Sequence, residues 1–276
     1  MSFYFRKSIK AGPFRVSLSR SGIGMSTGMP GLRGGTAPRG RYRQYRPVLM
    51  GLAIAALLIS LISLGLVFEG LEAEVRSVVE HGFGIAVHAI GNRGAEATLE
   101  AFTTAARLRP DDEVLFRIEH ATLLSRDQPR RMAELGAIAV VQPGFLHHMG
   151  GAVDGFQLDE SDWMPFGDLA EAGVVIAGSS DAPCAFHEPL LTSARGVTRI
   201  TSKGTVLDAS QSLPYDDWLR AYTVDAARAG GQENDRGQLK PGLQADLVVL
   251  EGTLDPLRPP AVSETWVAGQ RVFASP

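Results

Sequence analysis

The chain has 276 residues, 45% of them hydrophobic and 21% charged, and a formal net charge of -3. That leaves ample material for a packed core, and the single cysteine, Cys184, excludes an intramolecular disulfide framework. The balance is uneven: residues 1–68 carry ten Lys or Arg and no Asp or Glu, against seventeen basic and thirty acidic side chains in residues 69–276. Such asymmetry predicts a basic arm that meets an anionic surface, joined to an acidic soluble domain.

At the N-terminus, "FRVSLSRSGIGMSTG" alternates apolar Phe14, Val16 and Leu18 with Arg15, Ser17 and Ser19. Period two with Gly and Ser punctuation predicts short antiparallel strands. The opening "FYFRKSIKAGPFRVSLSRSGIGMSTGMPGLR" resembles a small bacterial domain of unknown function over residues 1–33. Next comes the basic linker 34–47, where "RGRYRQYR" interleaves Arg and Tyr; a juxtamembrane segment drawn to anionic headgroups fits it better than nucleic-acid binding. "VLMGLAIAALLISLISLGLVF" (48–68) has no charge and the length of a bilayer-spanning helix. Its basic upstream flank and acidic downstream flank (Glu69, Glu72, Glu74) predict a single-pass membrane protein with a cytoplasmic N-terminus.

From residue 69 onward strand-like and helix-like segments alternate. Glu69, Glu72, Glu74 and Glu80 read as a solvated helix face. "GIAVHAI" (84–90), "LFRIEHA" (115–121), "IAVVQP" (138–143) and "VVIAGSSDAP" (174–183) are strand candidates. "GAEATLEAFTTAARL", "DQPRRMAELGA" and "DLAEAG" read as helices between them, and "GFLHHMGGAVDGF" (144–156) as a loop. "YDDWLRAYTVDAARAGG" (215–231) reads as one long helix, and two strand signals, "QADLVVLEG" and "SETWVAGQRVF", close the chain. The succession predicts parallel βαβ units. His88, His120 and Asp181 fall at or near the carboxyl ends of candidate strands, with Gln142 ending another. In (β/α)-barrels that end gathers the active site, and imidazole with carboxylate suits zinc or a similar metal.

"VHAIGNRGAEATLEAF", "RIEHATLL", "VVQPGF", "AGSSDAP", "QADLVVLEG" and "TWVAGQRV" stand in the order found in the metal-dependent amidohydrolase superfamily, and resemble its amidohydrolase family 3 branch from about Gly70 to Phe273. The resemblance implies an α/β fold, a (β/α)8 barrel with an accessory β-sandwich. It implies hydrolysis of carbon–nitrogen bonds of a small amide-type substrate at a divalent metal, zinc first. By resemblance His88 and His120 are metal ligands after barrel strands five and six. Asp181, after strand eight, is a metal ligand and the catalytic proton acceptor, with metal-bound water as the nucleophile.

The family's His-x-His pair on strand one has no counterpart in these 276 residues, and no lysine lies where a bridging one is expected. The expected fold is therefore an incomplete barrel, strands five to eight with C-terminal sandwich strands, occupying 69–276. The chain reads as a fusion near Gly70 of the small basic domain and its span to the second half of an amidohydrolase. The expected activity is impaired or absent, the alternative being a non-catalytic membrane-anchored protein. Open sheet edges leave room for aggregation or a homo-oligomer. His147, His148 and His187 read as substrate-contacting or surface residues, Trp163 and Phe166 as core or pocket wall, and Cys184 as a small buried residue.

Overall fold

The computed structural model describes residues 7–11, 14–19, 22–27, 70–108, 114–153 and 161–275. The expected linker at 34–47 and membrane span at 48–68 lie outside them. Among the described residues no helix is long and apolar enough to cross a membrane.

The alternating N-terminal segments form three strands, β1 (Lys7–Ala11), β2 (Phe14–Ser19) and β3 (Gly22–Thr27), paired antiparallel in that order. A helix, α1 (70–80), follows, with Glu72, Glu74 and Glu80 exposed as expected, and Val75 and Val79 fully buried. Next come β4 (Ile85–Ala89), α2 (Asn92–Ala106), β5 (Phe116–His120), a short β6 (Leu123–Ser125) and α3 (Gln128–Glu134). Then follow β7 (Ile138–Val141), α4 (Gly144–Val153), a short β8 (Ser161–Trp163), α5 (Phe166–Glu171) and β9 (Ile176–Gly178). Three helices, α6 (Pro189–Thr198), α7 (Tyr215–Tyr222) and α8 (Val224–Ala229), lead to β10 (Leu247–Glu251), β11 (Ala261–Val267) and β12 (Gln270–Ala274).

β4, β5, β7 and β9 make one all-parallel sheet in that order, the expected βαβ units. Side chains alternate across it. Ile85, Val87, Ala89, Ile118, Ala139, Val141 and Ile176 join the main core with Leu99, Phe102, Leu146, Leu169 and Trp218 from the helices. Phe102 stacks on Phe116 with ring centroids 4.5 Å apart. Each such Leu or Phe contributes roughly 1.5–3 kcal/mol on full burial. On the opposite face a smaller cluster gathers Ile138, Val140 and Ala177, with Ala229 of α8 laid over it. Opposite the helix-packed core, this is the interior face of the sheet.

Four local expectations need correction. Residues 144–153 form a helix rather than a loop. Their glycines mark close packing: a Cβ at Gly150 would stand 2.7 Å from Thr201 Cγ2 and 2.8 Å from Leu207 Cδ1. The expected long helix breaks at Thr223 (φ -121°, ψ -85°), whose hydroxyl donates to Leu219 O at 2.7 Å, a local bond that competes with the helix ladder. "SETWVAGQRVF" is two strands, because Ala268 and Gly269 both take positive φ between the paired Val267 and Gln270, a hairpin turn of two residues. Cys184 is exposed, on a turn where its N–H donates to Asp181 O. Lys240-Pro241-Gly242 makes a turn, with Gly242 at φ 95° and Leu243 N–H bonded to Lys240 O at 3.1 Å.

Buried cross-links fix the layers. Arg199, buried over the Phe166 ring, donates to Leu207 O, Met164 O and Trp163 O; burial lowers its pKa to about 10. Trp218 is fully buried, edge-on to Phe166 with centroids 5.0 Å apart, and lies against Gly196, where a Cβ would meet the indole at 2.2 Å. Gly196→Ala is therefore expected to destabilise the fold by about 1–3 kcal/mol through overpacking. Urea unfolding checks this; an unchanged midpoint would mean that α6 and α7 do not meet there.

Candidate active site

The parallel register pairs Ala89 with His120 and His88 with Glu119, so β4 and β5 end together and deliver their histidines to one end of the sheet. The two rings meet edge-to-face, centroids 4.4 Å apart and planes at 77°. Phe145, near the start of α4, lies almost parallel to His120 on another side, at 6.0 Å. His120 is buried, and its Nδ1 stands 2.8 Å from Gln142 Oε1. The Gln142 amide donates to Val140 O at 3.1 Å, which turns its oxygen toward the ring. An accepting Oε1 requires the proton on Nδ1 and leaves Nε2 of the neutral ring as a lone pair.

The backbone is strained at the same place. His120 (φ 81°), Ala121 (φ 45°) and Asp181 (φ 50°) occupy the left-handed region that side chains disfavour. Non-glycine residues in such conformations cluster at functional sites. Ala121 N–H bonds to Ala89 O and Ser179 N–H to Val141 O, so the sheet ladder holds both bends. Neither bend has a signal in the sequence.

Electrostatics join the three expected residues. Desolvation lowers the His88 pKa, the neighbouring His120 lowers it further, and the Asp181 carboxylate opposes both. The Asp181 charge also raises the pKa of the exposed Cys184 thiol. Yet the donors do not close into a coordination shell: among the described residues no three His, Cys, Asp or Glu side chains stand together closely enough to hold a metal ion. The donor chemistry suits a divalent metal and two imidazoles are adjacent, but the group as placed does not fit a three-ligand centre.

Two further features escaped the sequence reading. Tyr222, at the end of α7, donates to Ser179 O at 3.0 Å and lies 2.8 Å from Thr192 Oγ1, clamping the strand end that precedes Asp181. Its ring fills the space over Gly178, where a Cβ would come within 2.5 Å of it. Arg117 and Glu119, on the interior face, form a half-buried ion pair, and Arg117 also donates to Ala229 O at 2.7 Å. His147 and His148 lie on α4 against Phe186, and burial followed by Arg195 lowers the His147 pKa. His187 is exposed beside Glu188.

The chain is similar to known proteins. Residues 65–273 match the family described as "Amidohydrolase family", and residues 3–52 match "Protein of unknown function (DUF4236)". An N-substituted formamide deformylase of Arthrobacter pascens is 31% identical over 173 residues, 62% of this chain and 32% of that protein. The protein LONG AFTER FAR-RED 3 of Arabidopsis thaliana is 32% identical over 173 residues, 61% of this chain and 30% of that protein. An uncharacterized metal-dependent hydrolase from Pyrococcus horikoshii superposes with a TM-score of 0.56 at 29% identity, covering 64% of this chain and 36% of that one. The chain thus spans about a third of the length of these relatives.

Two outcomes follow from the local geometry. Gln142→Leu leaves a buried imidazole N–H without its acceptor and is expected to cost about 1–3 kcal/mol; an unchanged denaturation midpoint would remove Gln142 from the site. Tyr222 carries a pKa raised by burial from 10.0 to about 12. Its contribution to stability is fully present below pH 10 and is lost as pH rises toward 12, by at most about 3 kcal/mol. Stability curves of Tyr222→Phe should fall less steeply across that window than those of the parent; parallel curves would contradict it.

Proposed function

The chain belongs to the amidohydrolase family, and on that premise we propose that it carries the second half of a hydrolase for non-peptide carbon–nitrogen bonds, impaired in a single copy. The observation that carries the reading is the pairing of His88 with His120 at the carboxyl ends of adjacent parallel strands. His88, His120 and Asp181 are the residues proposed to bind a divalent metal. When bound, the metal supplies polarisation of a substrate carbonyl and acidification of water. The chain's own contribution is to fix the His120 tautomer through Gln142 and to set a carboxylate, Asp181, at the end of β9.

Numbers and geometry support the proposed impairment. The sequence has six histidines and no His-x-His pair, and among the described residues no three donors stand close enough together to hold a metal ion. Misplacement by an ångström can cost about 100-fold in rate. The proposed substrate class is a small amide. N-substituted formamides are the first probes, because the Arthrobacter relative bears that activity in its name. The proposed setting is a single-pass anchor at 48–68 with a cytoplasmic N-terminus.

The test uses the whole chain in detergent, with zinc supplied and excess removed by gel filtration. Less than one zinc per chain is expected, falling further in His88→Ala and His120→Ala, with formamide turnover at background. Zinc unaffected by either substitution would overturn the site. Turnover abolished by His120→Ala would overturn the impairment.

A further inference from the structure

We propose that Arg195 of α6, with His147 and His148 of α4 and the ring of Phe186, forms a subsite for the carboxylate of a small organic acid that also carries an amide. The amide part of that assignment rests on the functional reading above; the carboxylate part does not.

The packing of α4 builds the group. A Cβ at Gly144 would stand 3.2 Å from Thr192 Cγ2, and one at Gly150 would stand 2.7 Å from Thr201 Cγ2. The chain from Thr192 to Thr201 therefore runs alongside α4 in the same direction. His147 falls midway between the two glycines, and Arg195 lies one helical turn after Thr192, so the two residues share this seam. Ser202 N–H donates to His147 O at 3.2 Å and holds that turn of α4 in place. Phe186, in the loop before α6, closes the group. Its ring centroid lies 5.4 Å from that of His147 and 4.4 Å from that of His148.

Two nitrogens in the group lack a partner. Arg195 Nε and His147 Nδ1 are both buried without a hydrogen bond. Among the described residues no ion pair uses Arg195, His147 or His148; Glu188, just before α6, stands 3.7 Å from His187 instead. An unpaired buried group is costly, more so on a charged side chain, and a bound anion supplies the missing acceptor. Burial, then the charge of Arg195, then that of His148 lower the His147 pKa. An anion among them relieves that crowding.

The same features select the kind of anion. Arg195 is the member of the group that is always charged, and its planar fork matches a carboxylate. One fixed charge suits a monoanion better than a phosphate dianion. The rings of Phe186 and His148 add an apolar wall, which an organic acid can cover and a hydrated inorganic ion cannot. The place in the fold is also apt. Phe145, which lies against the His120 ring, precedes His148 by one helical turn, and the loop that carries Phe186 is the one that carries Asp181. A carboxylate held here anchors its amide at the strand ends of the candidate active site.

The test is equilibrium dialysis of the full chain in detergent, without added metal, against labelled hippurate (N-benzoylglycine), with detergent alone as the blank. The parent is expected to bind hippurate about 10- to 100-fold more tightly than its neutral methyl ester, the worth of a charge-assisted hydrogen bond. Arg195→Gln should lose a factor of the same size, and Arg195→Lys should recover part of it. His148 is exposed, so His148→Gln decides the matter even where Arg195→Gln does not fold; it should weaken binding about threefold.

No saturable binding by the parent, equal binding of acid and ester, or unchanged affinity in either Gln variant would overturn the site. Inorganic phosphate that displaced hippurate at equal concentration would overturn the assignment to an organic acid. Hippurate held through Arg195, in a chain whose zinc ignores His88→Ala and His120→Ala, would defeat the hydrolase reading and leave the carboxylate site standing.

Discussion

The parallel ladder from β4 through β5 to β7 is the constraint on which the rest depends. Pairing Ala89 with His120 makes the two strands finish level, and pairing Glu119 with Val140 carries Gln142 to the same height one strand further on. A slip of one residue would turn every side chain to the other face. His88 would then join the helix-packed core, and Val87 would replace it at the site. The apolar alternation that buries Ile85, Val87 and Ala89 therefore also sets the position of the histidine. Core and site are specified by one pattern.

The two faces of the sheet are unequal. The helix side holds a large core in which Trp218, Phe102, Leu99 and Ile118 are fully buried. The interior side holds only a small cluster, together with the Arg117–Glu119 pair. The helix side carries most of the buried side chains, whereas the site rests on a few strand-end contacts. Stability sums over many contacts, whereas catalysis turns on a few positions.

Much of this was legible in the residues. The short β-branched runs gave strand positions, and their carboxyl ends pointed to His88, His120 and Asp181. What could not be read was backbone strain: nothing in "RIEHA" or "SSDAP" announces left-handed φ at His120 or Asp181. The glycines of "GFLHHMGGAVDGF" suggested a loop because glycine serves both turns and close packing, and only the neighbours Thr201 and Leu207 decide between them. The break at Thr223 is likewise a tertiary outcome in a segment of good helix formers. Cys184 looked like a core residue by its usual behaviour, but its place beside a strand-end turn exposes it. Tyr222 gave no hint of its role, since its partners Ser179 and Thr192 are 43 and 30 residues away.

Hydrogen exchange, read residue by residue across the four parallel strands of the full chain, tests most directly whether this sheet stands as a folded scaffold. If the ladder holds as described, amides of β5 and β7 exchange far more slowly than those of the loops between strands, because both strands are paired on either side and covered by the main core. Exchange of β5 and β7 as fast as in those loops would contradict it, since no fixed register would then remain to bring His88 and His120 together.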